Sequence, residues 1–187
     1  MDVVEHFNQE HALIERSATV LAGYLNHLRQ GGEEARHELL CLVTFFREVV
    51  DLGHHYKEED LLFPELVRHG ADWDGAPIAD LRKEHDHERY LLRVLRQAAL
   101  QTEAWSVEDR RHVIDVAGSF IEFQREHIER EASDVFPMVD RLLPAEARKS
   151  LADRLVAFDE EHKDARAISA TVESLMARFV PEAVGNQ

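Results

Sequence analysis

Apolar residues along the chain fall three and four positions apart almost throughout, the spacing that lines one face of an α-helix, and strand-like alternation is missing. Five helices are predicted. The first carries Val4, Phe7, His11, Ile14, Ala18, Leu21, Leu25 and Leu28 on one stripe and stops at Gly31 and Gly32. The second, from about Glu33 to His69, lines up Leu39, Val43, Phe46, Val50, His54, Glu58, Leu61 and Glu65. After a loop with Gly75 and Pro77, the third runs from about Ile78 to Thr102 with Ile78, Leu81, His85, Glu88, Leu92, Leu95 and Ala99. Ser106 and Asp109 cap a fourth, striped by Val116, Phe120, Phe123, His127, Glu131, Val135, Met138 and Leu142. Pro144 opens a fifth that ends near Phe179. Short connections between long amphipathic helices make antiparallel neighbours. The fold predicted is all-α: an up-and-down four-helix bundle over about 1–142 with an additional C-terminal fifth helix over about 144–180, in one domain spanning 1–187.

The chain repeats itself. His54-x3-Glu58-x4-Phe63-Pro64 recurs as His127-x3-Glu131-x4-Phe136-Pro137, 73 residues on at every position, and Glu10-His11 recurs 74 residues on as Glu84-His85. Helices one and two are thus a copy of helices three and four, which predicts a pseudo-two-fold bundle with equivalent side chains meeting at its axis.

Polar residues interrupt the stripes at equivalent places. His11, His54, Glu58, His85, His127 and Glu131 all occupy positions that face the core, where charge is costly unless it is paired or bound to metal. Residues four apart share a helix face, so His54 with Glu58, and His127 with Glu131, each aim an imidazole and a carboxylate at one point. With His11 and His85, four nitrogens and two carboxylates make a ligand set for two metal ions. Without thiolate it suits iron or manganese, with zinc compatible as well. A lone core histidine is ordinarily just hydrogen-bonded, and a metal-free interaction bundle would scatter such residues at random. Repetition on four helices favours metal. His55 with Glu59 has the same spacing but lies about 100° round the helix, so that pair is expected on the surface, as is His6 with Glu10.

Composition narrows the function. Lys and Arg number 22 against 37 Asp and Glu, a net charge of −15, which argues against gripping nucleic-acid phosphates. No apolar run is long enough for a membrane span, the N-terminus does not look like a signal peptide, and one cysteine, Cys41, allows no internal disulfide. The cytoplasm is the expected location. Cys41 is expected to be a small packed residue, and Tyr24, Tyr56 and Tyr90 to lie on the amphipathic surface.

The string from His54 through Glu58 to Phe63-Pro64, its echo from His127 to Phe136-Pro137, and the Glu-His pairs at 10–11 and 84–85 resemble the hemerythrin-like, cation-binding HHE domain, over essentially the whole chain. The resemblance implies a non-haem di-iron centre, with Glu58 and Glu131 as bridging carboxylates and His11, His54, His85 and His127 as terminal ligands. It is a better match than the ferritin-like Glu-x2-His pattern, whose spacing occurs only off the stripes, at Glu34 with His37 and Glu84 with His87. In oxygen-carrying members of the family the third ligand helix has His-x3-His and the last a His-x4-Asp pair. Here Arg89 follows His85 and Glu131 follows His127, so one iron lacks its usual third histidine. The set is more similar to the iron-sensing and iron–sulfur-repair branches. His162, beside Glu161 on the fifth stripe, is a candidate for the missing nitrogen. The implied function is to bind iron and to bind or sense O2 or a related small oxidant. The alternative is a di-iron redox enzyme acting on peroxide or nitric oxide, and the stripe pattern does not separate binding from turnover.

Overall fold

The computed structural model describes residues 2–162 and 165–180, and among them there are six helices and no strand. Helix α1 spans Val3–Arg29. Helix α2 covers 36–68; it opens as α-helix (Arg36–Phe45), widens to π-helix over Phe46–His55 and Glu58–Leu62, and closes as α-helix (Phe63–Arg68). Helix α3 is Ile78–Leu100. Helix α4 covers 107–142 and repeats the pattern, with Val107–Arg130, a π-turn over Glu131–Val135, and Phe136–Leu142. Two further helices follow, α5 (Ala145–Glu161) and α6 (Ala165–Phe179). The single fifth helix expected from the sequence is therefore two, since α5 ends at His162, whose backbone has left the helical region (φ −110°, ψ 22°).

Local chemistry sets these boundaries. Asp2 caps α1 in a capping box with Glu5, and Ser106 caps α4 in another with Asp109, each satisfying N–H groups that the first turn leaves without partners. The π-turns follow from the repeated motif. Pro64 and Pro137 carry no N–H and their rings crowd the preceding turn. Just before each of them the ladder slips by one residue, so that Phe63 N–H donates to the Glu58 carbonyl and Phe136 N–H to the Glu131 carbonyl. His to Glu is thus one α-turn and Glu to Phe one π-turn.

Helix α1 packs on α4, α4 on α3, α3 on α2, and α2 closes on α1; α6 lies across α1 and α2, while α5 covers the opposite end of α1. Two apolar cores result. One contains Leu21, Leu25, Leu42, Phe46, Leu95, Phe120 and, from α6, Val172 and Phe179. The other contains Phe7, Phe63, Leu66, Leu81, Phe136, Val139 and, from α5, Leu151 and Leu155. Each fully buried aliphatic side chain contributes about 1.5–3 kcal/mol relative to exposure. Close approach fixes α6: a Cβ at Gly23 would run into the Phe179 carbonyl. No helix among the described residues is long and apolar enough to cross a membrane.

Candidate metal centre

The residues that interrupt the stripes form a polar layer between the two cores. His11, His54, Glu58, His85, His127 and Glu131 are all buried, at 4% exposure or less. The duplicated hairpins bring them together as equivalent pairs. His11 and His54 approach Nε2 to Nε2 at 3.2 Å, and His85 and His127 at 3.1 Å. The carboxylates cross between the halves: Glu131 of α4 reaches His11 of α1 at 2.7 Å, and Glu58 of α2 reaches His85 of α3 at 3.3 Å. Each also meets the histidine one turn before it, Glu131 with His127 at 2.6 Å and Glu58 with His54 at 3.9 Å. The pseudo-two-fold read from the repeat is present.

Two groups within this layer could hold a cation: His11 with His54 and Glu131, and His55 with Glu58, His85 and His127. The donor chemistry fits one. Neither carboxylate oxygen of Glu58 or Glu131 has a hydrogen bond of acceptable geometry, although imidazole nitrogens lie as close as 2.6 Å. Buried carboxylates left this way are costly unless a cation satisfies them. The histidines are also oriented from behind. His54 Nδ1 donates to Glu10 (2.9 Å), His85 Nδ1 to Glu59 (2.6 Å) and His127 Nδ1 to Glu84 (2.8 Å). A carboxylate only accepts, so a proton sits on each Nδ1 and Nε2 is the nitrogen turned into the layer, the orientation that holds metal-ligating histidines.

The sequence reading misplaced four residues near this layer. His55, expected on the surface, is 1% exposed, stacks on His85 with ring centroids 4.0 Å apart, and belongs to the second group. Consecutive residues His54 and His55 both turn inward because they end the π-helical stretch, where the angle between neighbours is smaller than in an α-helix. Glu59 is only partly exposed and shared between His85 and Arg89. His6 is buried, and Glu10 orients His54. Lys57, also buried, binds His6 (3.3 Å), Glu10 and Asp159 of α5 (2.7 Å), so its ammonium fills the third cluster of potential ligands, His6, Glu10 and Asp159.

Other expectations resolve as follows. His162 is exposed, donates from Nδ1 to the Phe158 carbonyl (2.9 Å), and is not brought to either group. Arg89 points away from the layer, to Asp51 (2.6 Å), Glu59 (2.9 Å) and Asp86 (3.1 Å). Tyr24 is fully buried, contrary to expectation, and its hydroxyl donates to the Glu34 carbonyl, while Tyr56 and Tyr90 are exposed. Cys41 is half-buried, 3.7 Å from His37 Nε2.

Glu88 of α3 is a further buried carboxylate, 1% exposed, with no hydrogen bond to either oxygen; it stands 3.5 Å from His55 Nε2. Gln124, one turn before His127, has an equally unsatisfied amide. Charge in the layer is strongly partitioned. Burial opposes a charge on His54, but the Glu58 carboxylate and the hydrogen bond to Glu10 outweigh it and push the imidazole up to about 10. His127 is raised in the same way by Glu131 and Glu84, against its burial. Glu10, despite burial, is held down to about 2 by His54 and Lys57. Burial lowers His55 well below the usual imidazole range, reinforced by His85 and His127, and raises Glu88 to about 7. A cleft of about 610 Å³ between α1, α2, α5 and α6 reaches Glu10 and Lys57, directly behind His54.

Against known families, the hemerythrin HHE cation-binding domain matches residues 2–139. No curated protein and no solved structure matches the chain.

Proposed function

The chain belongs to the hemerythrin HHE cation-binding domain family, and from that premise we propose that it is a non-haem di-iron protein that binds or senses O2 or a related small oxidant. One ion would be held by His11, His54 and Glu131, the other by His55, Glu58, His85 and His127, and each carboxylate also lies near a histidine of the other group, Glu131 near His127 and Glu58 near His54. The observation that carries this reading is the pair of buried carboxylates without hydrogen bonds, each lying between imidazoles of opposite hairpins. An iron pair supplies redox chemistry and coordination positions for a diatomic or peroxide ligand. The chain's own residues supply the rest. Glu10, Glu59 and Glu84 fix the imidazole tautomers, and the apolar cores on either side limit access to small molecules and exclude bulk water.

Arg89, held on Asp51, Glu59 and Asp86, has no part in ligation, and His55 takes the place of the histidine that the motif lacks at that position. Purified protein reconstituted with iron should hold about two ions per chain, since seven donors exceed the four to six that one ion takes. Elemental analysis with the ultraviolet–visible spectrum checks this; a reproducible value near one would remove the dinuclear reading.

The cleft behind His54 favours a second reading, turnover of peroxide or nitric oxide, because it brings solvent to the Lys57 and Glu10 pair that backs a ligand histidine. Aerobic and anaerobic turnover assays on the iron-loaded protein separate the two. Reversible binding without consumption supports the first, and sustained consumption of peroxide or nitric oxide supports the second.

A further inference from the structure

We propose that the cleft between α2 and α3 is a binding site for a small organic phosphate. The chain carries a net charge of −15, yet four of its arginines gather here: Arg47 from α2, and Arg89, Arg93 and Arg96 from α3. The last three follow one another four and three residues apart and so share a helix face. They surround a cleft of about 470 Å³ whose apolar lining comes from Val43 and Leu92, a volume within the range of small-molecule sites.

The acids nearby are already committed. Asp51, the one carboxylate lining the cleft, binds Arg89, and Arg89 also donates to Glu59 and Asp86. Arg47 pairs with its neighbour Glu48. Among the described residues no carboxylate lies within 4.0 Å of Arg93 or Arg96, although acids far outnumber bases in the chain. Two exposed guanidiniums without carboxylate partners leave their donors free for a bound anion. Guanidinium forks match phosphate oxygens two at a time, which an ammonium does not, and every basic residue lining this cleft is arginine. The apolar lining provided by Val43 and Leu92 suits the body of an organic ester better than a bare ion.

The proposal does not depend on the metal centre, though Arg89 connects the cleft through Glu59 to His85. It is tested by calorimetric titration of the intact, iron-loaded protein at low ionic strength with adenosine monophosphate, inorganic phosphate and adenosine, and is repeated on iron-depleted protein. Adenosine monophosphate should bind at one site, inorganic phosphate more weakly, and adenosine not at all. Added salt should weaken binding. The exposed pair Arg93→Ala with Arg96→Ala should lower affinity roughly tenfold per arginine removed, with an unchanged circular dichroism spectrum, while Arg16→Ala, on the surface of α1, should leave it unchanged. No saturable binding of adenosine monophosphate up to about 10 mM, or an affinity untouched by the double variant, would overturn the site. Equal affinity for inorganic phosphate would overturn the organic body.

Discussion

The two halves of the polar layer come from one repeated hairpin, and among their differences two stand beside the ligands. Around His11, His54 and Glu131 the interior is completed by Ile14 and Ile128; around His85, His127 and Glu58 the equivalent positions hold Glu88 and His55. All four side chains are buried, so the difference is one of chemistry and not of exposure. The half with isoleucines offers three donors and hydrocarbon. The other offers four donors with a second carboxylate, Glu88, beside them. A duplicated frame thus supplies the common histidines and crossing carboxylates, and two substitutions make the donor sets of the two halves unequal. On the proposed di-iron reading, the ion on the His55 side is expected to be held by more donors than the one on the Ile128 side.

The largest expected effect breaks both halves together. Glu131→Ala and Glu58→Ala each remove a carboxylate that reaches across the hairpins, so each should abolish most iron retention; elemental analysis after a chelator challenge measures it. Loss of only one ion from either variant would mean that the carboxylates do not bridge. Next in size is His55→Ile, which copies the Ile128 side. It should cost one ion roughly 10–100-fold in affinity and make the two release steps nearly equal, as followed by stepwise chelator titration. Unchanged release would return His55 to a packing role.

A smaller effect sharpens the contrast from behind the ligands. Glu10→Gln should loosen the first ion and Glu59→Gln the second, each by about tenfold, the low end for groups that orient a ligand histidine. A cross-over in which ion each variant affects would show that the hairpins are assigned to the wrong ions. The smallest is no effect at all: His162→Ala should leave iron content and release unchanged, because the imidazole is exposed and bound to Phe158.

What was legible in the sequence, and what was not, divides along helix pitch. The bundle, its repeat and the six stripe residues could be read because α-helical periodicity holds across α1, α3 and most of α4. His55 could not, since a surface assignment about 100° off the stripe presumes an α-turn where the chain makes a π-turn. His6 and Glu10 escaped for a different reason. Their cover is Lys57 and Asp159, and nothing local announces that α5 comes to lie over them. The break after Glu161 was likewise silent, because the stripe of the presumed fifth helix runs on through it.

The π-turns also act as a phase reset. Were the five residues Glu58–Leu62 wound as α-helix with none removed, everything after them would be left about 100° out of step. Phe63 and Leu66, which now lie in the lower core, would swing toward solvent while His54 and Glu58 stayed in place. The same holds for Glu131–Val135 and the residues from Phe136 to Val139. The π-turn in each half therefore absorbs one residue more than an α-turn holds and keeps the ligands and the core beneath them in register, so deleting a single residue there should let the turn close as α-helix with both still aligned.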